Sequence, residues 1–480
     1  MRLMIAGGGG FRVPLLYRAL SAGPFAGLVR ELVLYDVDAG RLAAVGAVLA
    51  AMPQQPGGAG GGPRVRTTTS LTDALPGADM VFAAIRPGGT AGRTVDERVA
   101  QDLGLLGQET TGAGGISYAL RTIPPMLQLA QAMRRLCPAA WLVNFTNPAG
   151  MVTEALVPVL GERVVGICDS AGGLVHRAAR AAGVALPAGR LDGAGYYGLN
   201  HLGWLYRLEA GGADLLPGLL ADAGVLAGFE EGRLFPQPFL AQLGCLPNEY
   251  LFYYYETARA VAAMRAAAQT RGESIHVQQA ELYPRLASAG PDAYRLWDAA
   301  RRSREEGYLA EARAAGEHRD EEDLAGGGYE RVALAAMRAL SGGGEAQLVL
   351  NTRNAVPIPG GAPAAAVPGL PVDAVVEVPC RVGTDGVVPI PQDRPAEAQL
   401  ALMRRVKDVE RLVVRATAPA GGVARATGPQ SASDAGGRRE AALAAFARHP
   451  LVDSEELAAR LLAGYEAAFP DLAALWAAGS

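Results

Sequence analysis

The chain has 480 residues, half of them hydrophobic and 19% charged, so it encodes a folded protein with a large core. At roughly 150 residues per domain, we expect two or three domains. The net charge is −4 and no basic block stands out, which argues against nucleic-acid binding. Lys407 is the only lysine among 44 basic residues, which excludes a G-x-x-x-x-G-K phosphate loop near the N-terminus.

The first part of the chain alternates short apolar strands with helical patterns. A helix is predicted from Pro14, and the glycine-rich residues 56–62 are expected to form a surface turn. This alternation predicts an α/β fold with a Rossmann-like, doubly wound parallel sheet over residues 1–190. The predicted strands are 3–6, 31–35, 65–70, 80–85, 141–145 and 163–168.

The pattern changes after about residue 190, so we expect a second α/β domain over residues 191–480, packed on the first. Residues 193–210 alternate like antiparallel strands, and helices rich in Ala, Arg and Glu follow at about 255–340. Further strands are predicted at 348–351 and 375–380. Residues 418–438 are rich in Gly and Ala and predict a mobile loop, followed by a helix from about 439.

The cysteines and the hydropathy favour a cytoplasmic protein. The four cysteines are far apart and form no C-x-x-C pair, and a chain of this length does not need disulfides. The apolar N-terminal stretch reaches Gly7 too soon for a signal peptide. Since no run of 18 apolar residues occurs, we expect no membrane partner.

The first predicted strand is followed by four glycines and a helix, which is typical of a dinucleotide site. Gly7, Gly8, Gly9 and Gly10 would let the backbone approach a pyrophosphate, and the helix N-terminus would stabilise its charge. Asp36, at the end of the second strand, would bind the ribose hydroxyls and favour NAD over NADP. A tight turn is the alternative, but strand, helix and Asp36 in this order favour the cofactor.

Several segments together resemble glycoside hydrolase family 4, in that family's order and spacing, from residue 1 to about 460. They are AGGGGFRVP (6–14), GQETTGAGG (107–115), ALRTIP (119–124), NFTNPAG (144–150), GICDS (166–170), YYGLNHLGW (196–204) and LPNEYLFYYYE (246–256). The resemblance implies a lactate/malate dehydrogenase-like fold, a glycosidase that needs NAD and a divalent metal, usually Mn²⁺, and a homodimer or homotetramer.

The chemistry that the resemblance implies is an elimination assisted by oxidation and reduction. NAD⁺ takes hydride from C3 of the sugar, a base removes the acidified C2 proton, and the aglycone leaves from C1. Water then adds, and C3 is reduced again. The metal would act as a Lewis acid on the C2 and C3 oxygens.

Cys168 and His201 match the family's metal ligands, and a thiolate with an imidazole suits a first-row metal. Tyr250 matches the base at C2, although a tyrosine needs a nearby metal or cation to act near neutral pH. The alternatives are a small buried cysteine, a structural histidine and an aromatic core residue. A 2-hydroxyacid dehydrogenase of the same fold would lack the cysteine ligand, and the same residues disfavour a non-catalytic NAD sensor.

The remaining matches concern the substrate. Arg93 and Arg271 match arginines that hold the sugar and its phosphate. A guanidinium suits this role because it can form bidentate hydrogen bonds with a phosphate. Asn147 matches a substrate-binding position, and Glu109 a position near the nicotinamide and metal, which we assign to substrate binding. Asn144 is expected to order the turn or to contact the cofactor's ribose.

Two cues about the substrate conflict. Asp169 matches the proposed general acid of 6-phospho-α-glucosidases, whereas the wider motifs GGGGFRVP, GICDS and NEYL resemble a subgroup of 6-phospho-β-glucosidases. We weight the wider motifs and expect a 6-phospho-β-glucoside or phosphorylated disaccharide as substrate. The first loop of the resembled family usually has hydroxyl residues at the positions of Gly10 and Val13, and these would help to bind a 6-phosphate. The substrate could therefore also be an unphosphorylated α-glycoside, or its phosphate could be bound by other residues.

Overall fold

The structure is a computed structural model that describes residues 1–53, 62–187, 189–313, 328–418 and 434–477. The strands predicted from the sequence are present, with ends that differ by a few residues. The strands are β1 (Arg2–Ala6), β2 (Glu31–Tyr35), β3 (Arg64–Thr68), β4 (Met80–Ala83), β5 (Trp141–Asn144), β6 (Val164–Gly166), β7 (Ala194–Leu199), β8 (Leu202–Ala210), β9 (Ala213–Asp214), β10 (Leu246–Pro247), β11 (Ala346–Arg353), β12 (Val375–Gly383) and β13 (Gly386–Pro389).

Helices cover both faces of the strands. Those of the first part are α1 (Val13–Ser21), α2 (Ala39–Ala50), α3 (Leu71–Ala74), α4 (Gly89–Asp102), α5 (Ala113–Leu136), α6 (Ala149–Leu160) and α7 (Ser170–Ala181). The later ones are α8 (Leu216–Ala221), α9 (Ala223–Leu226), α10 (Glu230–Leu234), α11 (Gln237–Leu243), α12 (Phe252–Tyr255), α13 (Thr257–Ala266), α14 (Arg271–Ser288), α15 (Ala293–Glu306), α16 (Tyr329–Leu340), α17 (Glu397–Thr417), α18 (Asp434–Arg448), α19 (Glu455–Ala468) and α20 (Pro470–Ala477).

Among the described residues, the strands form one 13-stranded sheet in the order β10-β8-β7-β12-β11-β6-β5-β4-β1-β2-β3. The other two strands pair at its side, β13 with β12 and β9 with β8. Strands β1 to β6 pair in parallel, in the order of a dinucleotide-binding sheet. This confirms the predicted α/β, Rossmann-like, doubly wound sheet.

The strand direction changes near the predicted domain boundary. From β11 onward along the sheet, the pairs are antiparallel, including the β7–β8 hairpin. One sheet nevertheless runs across residue 190, and α17 and α19 return to pack on α5 and α4 of the first part. The division into domains 1–190 and 191–480 stays a prediction.

The alternation of side chains along β1 explains why the sheet needs helices on both faces. Leu3 and Ile5 belong to one buried core, while Met4 and Ala6 belong to the other, and all four are at most 1% exposed. A strand buried on both faces is typical of a parallel sheet. The two cores fix the carboxyl ends of the parallel strands in one row.

Two predicted segments lie mostly outside the described residues. These are the glycine-rich turn at 56–62 and the loop at 418–438, although α18 already begins at Asp434 rather than at about 439. Of the helices that are described, none combines the length and the apolar character needed to cross a membrane. The four cysteines are free and buried.

Candidate active site

A cavity of about 1760 Å³ lies at the carboxyl ends of the parallel strands. Its wall includes residues that follow five of these strands, namely Gly7, Asp36, Arg86, Asn147 and Cys168. The cavity is larger than the roughly 300–1,000 Å³ typical of a small-ligand pocket, so it has room for a dinucleotide and a sugar together.

The glycine loop between β1 and α1 packs directly on neighbouring backbone. The amides of Gly7 and Gly8 donate to the carbonyl of Tyr35 over 2.9 and 2.7 Å, and Gly7 has a φ of +90°. A Cβ atom at Gly8 would lie 2.7 Å from the Cα of Leu34. Helix α1 then begins without a side-chain cap, but the amides of Val13 and Leu15 donate to the carbonyls of Gly10 and Arg12, and Pro14 has no N–H. The start of the helix therefore offers an anion the positive end of its dipole.

Asp36 is fixed at the end of β2 by the same loop. Its Oδ2 accepts from the amide of Gly9 over 2.9 Å, and its Oδ1 accepts from the amide of Asp38 over 3.1 Å. Both Asp36 and the adjacent Val37, which is 82% exposed, line the cavity. The carboxylate keeps lone pairs for two hydroxyl donors, which suits a ribose.

Cys168, His201 and Tyr250 meet on the cavity wall. The Sγ of Cys168 lies 3.6 Å from the Nε2 of His201, and the His201 ring stacks on that of Tyr250 with 3.6 Å between centroids. His201 occupies the two-residue turn between β7 and β8 with a φ of +63°, an uncommon conformation for a residue other than glycine. The turn holds the imidazole against the thiol.

The protonation of these groups suits a metal site. Burial lowers the pKa of His201 to about 3, so its imidazole is neutral and free to act as a ligand. Burial also raises the pKa of the Cys168 thiol well above its usual value, so a bound cation would have to displace its proton. Within the described residues no third His, Cys, Asp or Glu completes a metal cluster.

Tyr250 is neutral in this setting. Burial raises the pKa of its hydroxyl well above the usual value, and the charges of Cys168 and Glu249 raise it further. A hydrogen bond with Tyr308 acts in the opposite direction. Tyr250 therefore needs a cation beside it to act as a base, as expected from its residue type.

Glu109 joins two arginines beside this centre. Its carboxylate lies 2.6 Å from a guanidinium nitrogen of Arg86 and 2.6 Å from one of Arg93. Burial raises the pKa of Glu109, but the charges of Arg86 and Arg93 outweigh burial and bring it to about 2. Glu109 is thus a fixed negative charge, and Arg93 is held a second time by Glu97 over 2.8 Å.

The other substrate residues from the sequence analysis also line the cavity. They are Arg271, Asn147 and Asp169. The Oδ1 of Asn147 is enclosed without a hydrogen-bond partner in the described part of the chain. Asp169 precedes α7, and its side chain makes no capping hydrogen bond with that helix.

Three predicted cofactor residues do not line the cavity. Gly8 and Gly9 lie on the side of the loop that faces away from the cavity. Their lack of a Cβ atom allows the loop to pack closely against Leu34 and Arg41. Asn144 is fully buried, and its amide donates to the carbonyl of Thr146 over 3.2 Å and to the Oγ1 of Thr153 over 3.3 Å. These hydrogen bonds favour the expectation that Asn144 orders the turn, and its contact with the ribose stays a prediction.

Sequence reasoning missed several cavity residues, namely Arg12, Arg86, Glu249, Arg304 and Tyr308. Arg86 follows β4 at the carboxyl edge of the sheet, a position that could have indicated it. Arg304 comes from α15, far along the chain and among other arginines, so no sequence signal distinguishes it. Burial raises the pKa of Glu249 to about 8, and the charge of Glu231 adds to this rise.

The chain matches known proteins along most of its length. Residues 4–184 match the family described as family 4 glycosyl hydrolase, and residues 196–420 match its C-terminal domain. A probable 6-phospho-beta-glucosidase of Bacillus subtilis is 28% identical, over 96% of this chain and 95% of that protein. A maltose-6'-phosphate glucosidase of the same organism is 29% identical, over 87% and 88%.

A solved structure shares the fold. The 6-phospho-beta glucosidase of Thermotoga maritima, with manganese, NAD⁺ and glucose-6-phosphate, has a TM-score of 0.75 and 25% identity. The alignment covers 98% of this chain and 99% of that one. Both family matches together span most of the sequence and include the cavity residues Gly7, Cys168 and His201. The chain therefore belongs to family 4 of the glycosyl hydrolases.

Proposed function

We propose that this chain is a 6-phospho-β-glucosidase that uses NAD and Mn²⁺. The observation that carries the proposal is one cavity shared by the glycine loop, the Cys168–His201 pair and a group of arginines. The relatives support it, since their names refer to glucosides or maltose that carry a 6-phosphate. The family membership argues against the alternative of a 2-hydroxyacid dehydrogenase.

The cavity residues fit both groups. The Gly7–Gly10 loop and the start of α1 would hold a pyrophosphate, and Asp36 would hold a ribose. The adjacent Sγ of Cys168 and Nε2 of His201 would hold one divalent cation. When bound, NAD⁺ accepts and returns a hydride at C3 of the sugar, and the metal polarises the C2 and C3 oxygens.

Tyr250 is the residue that we assign to proton removal at C2. Its ring stacks on that of His201, which places Tyr250 beside the proposed cation site. Asp169 directly follows Cys168 and would give a proton to the leaving oxygen at C1. Asn147, with an unpartnered Oδ1, would accept a hydrogen bond from a sugar hydroxyl.

Glu109 would fix the arginines rather than react. Its low pKa keeps it charged at neutral pH, and it holds Arg86 and Arg93 with one carboxylate. Arg93 and Arg271 would then bind the phosphate of the substrate with guanidinium groups that are already oriented.

The second candidate is a 6-phospho-α-glucosidase. Asp169 favours it, because a carboxylic acid at this position matches the proposed general acid of that type. Relatives named for α-linked substrates also align along most of the chain, including a 6-phospho-alpha-glucosidase of Leptotrichia buccalis over 86% of it. A cytoplasmic location and a homodimer or homotetramer stay predictions.

Four p-nitrophenyl glucosides test the proposal: α and β anomers, each with and without a 6-phosphate. They are incubated with the protein, NAD⁺, Mn²⁺ and a reductant. We expect release of nitrophenol from the β anomer with phosphate, and only when NAD⁺ is present. Release from the α anomer alone would select the second candidate, and release without NAD⁺ would reject both.

A further inference from the structure

His201 lines a second, small cavity as well as the large one. The small cavity has a volume of about 20 Å³, and its wall includes the β7–β8 turn, residues 110–112 and part of α17. The Nε2 of His201 lies 3.6 Å from the Sγ of Cys168, in the wall of the large cavity. Its Nδ1 is enclosed and has no hydrogen-bond partner in the described part of the chain. His201 therefore carries one buried ring nitrogen that its neighbours leave unsatisfied.

The proton of the neutral imidazole lies on this Nδ1. A neutral ring has one N–H donor and one acceptor nitrogen. A cation bound between the Sγ of Cys168 and the Nε2 of His201 would use the lone pair of Nε2, and without a cation the thiol hydrogen donates to the same lone pair. The Nδ1–H group is thus a buried donor, and buried donors in native proteins almost always have an acceptor.

Two side chains with oxygen atoms share the small cavity with His201. Thr111, of the GQETTGAGG segment, is 4% exposed, and its Oγ1 is also enclosed without a hydrogen-bond partner among the described residues. Glu410 of α17 is 3% exposed. Neither reaches Nδ1 directly, so a small molecule has to bridge them. A cavity needs at least about 10–15 Å³ and two to four polar partners to hold a water molecule, and this one offers both.

Glu410 is held in place by Lys407, the only lysine of the chain. The ammonium group of Lys407 pairs with Glu410 and lies 2.7 Å from the Oε2 of Glu154. Lys407 is 2% exposed, so these two carboxylates compensate its buried charge. A carboxylate accepts several hydrogen bonds at once, so Glu410 can accept one from the cavity while it pairs with the lysine.

His449 lines the same cavity, but as a donor. Its Nδ1 accepts from the amide of Leu451 over 3.1 Å, so the proton of its neutral ring lies on Nε2. An Nε2–H group cannot accept from His201. It can donate to the molecule that does, which leaves the oxygen atoms of Glu410 and Thr111 to accept in turn.

We propose that the small cavity binds one water molecule, which accepts the Nδ1 proton of His201 and donates to Glu410 and Thr111. A contact of this kind fixes the tautomer and the orientation of a metal-ligating histidine. Glu410 and Thr111 are then positioning residues for the cation site, and Lys407 supports them from behind. The inference rests on the proposed function for the presence of the cation at Cys168 and His201.

Two measurements on the metal-free protein test the water itself. A crystal structure at a resolution better than about 2 Å should show a water molecule about 3 Å from the Nδ1 of His201. NMR of protein labelled with ¹⁵N-histidine reports the tautomers, and with five histidines the signals of His201 are assigned by their loss in His201→Gln. We expect the Nδ1–H tautomer.

Four variants test the effect on the cation site. Thr111→Val and Glu410→Gln each keep the size of a side chain that contacts the water and remove its hydroxyl or its charge. Thr417→Val is the control for the first, because that buried hydroxyl donates to carbonyls of its own helix. Glu154→Gln is the control for the second, because Glu154 also pairs with Lys407 but lies outside the small cavity. The readout is the Mn²⁺ dissociation constant, measured by calorimetry without substrate.

We expect Thr111→Val and Glu410→Gln to raise the Mn²⁺ dissociation constant about 10- to 100-fold, as loss of an outer contact of a metal ligand typically does. Both controls should bind Mn²⁺ like the wild type. Thr111→Ser keeps the hydroxyl and should also bind like the wild type. Thermal unfolding checks that each variant is folded.

A small cavity without a water molecule, or an Nε2–H tautomer of His201, would overturn the inference. Unchanged Mn²⁺ binding in Thr111→Val would also overturn it. Equal losses in Glu410→Gln and Glu154→Gln would assign the effect to the pairing of Lys407 and remove Glu410 from the proposal. A wild-type protein that binds no Mn²⁺ would reject the proposed function, and the crystal structure and the tautomer would still decide the water site.

Discussion

The carboxylate of Glu109 offers the sharpest test of the site's electrostatics. It lies 2.6 Å from both Arg86 and Arg93, and its side chain is 15% exposed. The two arginine charges outweigh burial and hold its pKa at about 2 instead of the ordinary 4.5. At about 1.4 kcal/mol per pKa unit, this shift corresponds to about 3 kcal/mol of folding free energy at neutral pH.

Glu109→Gln keeps the size of the side chain and removes its charge. We expect the free energy of unfolding at pH 7 to fall by about 3 kcal/mol. Because the pKa of Glu109 is lower in the folded state than in the unfolded state, its contribution is complete above pH 4.5. The contribution is lost as the pH falls through 2, so the two proteins should converge in acid.

Urea unfolding followed by circular dichroism measures this difference at pH 7 and at the lowest pH where the wild type stays folded. Asp192→Asn is the matched control, because it breaks an ion pair with Arg190 whose side chains are more than half exposed. Such a pair contributes less than about 1 kcal/mol. A Glu109 variant as stable as this control, or a difference that grows in acid, would refute the reasoning.

Three further substitutions separate the roles of the cavity residues. Cys168→Ser should raise the Mn²⁺ concentration needed for activity at least about 100-fold, and an unchanged Mn²⁺ titration would contradict its role as a ligand. Tyr250→Phe keeps the ring that stacks on His201 but loses the hydroxyl, so kcat should fall about 10²- to 10⁴-fold while thermal stability stays unchanged. A variant with the wild-type kcat would exclude Tyr250 as the base. Asp36→Ala removes the acceptor that fixes the Gly9 amide, so the Kd for NAD⁺, measured by fluorescence, should rise about 10-fold, and equal binding would show that Asp36 does not hold the ribose.

The parallel part of the fold was predictable because its signals are local. Strands β1 and β2 are short apolar runs followed by Gly7 and Asp36, and burial on both faces follows from the helices between the strands. The same locality identifies Asp36, which directly follows β2, whereas motif resemblance supplied Cys168, two residues after the end of β6. Motif resemblance supplied His201 and Tyr250, whose contact with each other no spacing rule predicts.

The residues that sequence reasoning missed depend on long-range packing. Arg304 reaches the cavity only because α15 lies near the glycine loop. Its position in the cavity could therefore not be predicted from the sequence of a helix that contains several arginines. Asn144 shows the reverse case, since its motif suggests a ligand contact while its hydrogen bonds point inward to the turn. The single sheet that crosses residue 190 was also unexpected, because β11 joins β6 from nearly 200 residues away.

The most direct test of the central claim is hydrolysis of p-nitrophenyl β-glucoside 6-phosphate in D₂O with NAD⁺ and Mn²⁺. NMR of the released sugar phosphate reports the isotope at C2. If Tyr250 removes the C2 proton during an NAD-dependent reaction, the product carries deuterium from the solvent at C2. A product that keeps hydrogen at C2, or hydrolysis that proceeds at the same rate without NAD⁺, would contradict the account.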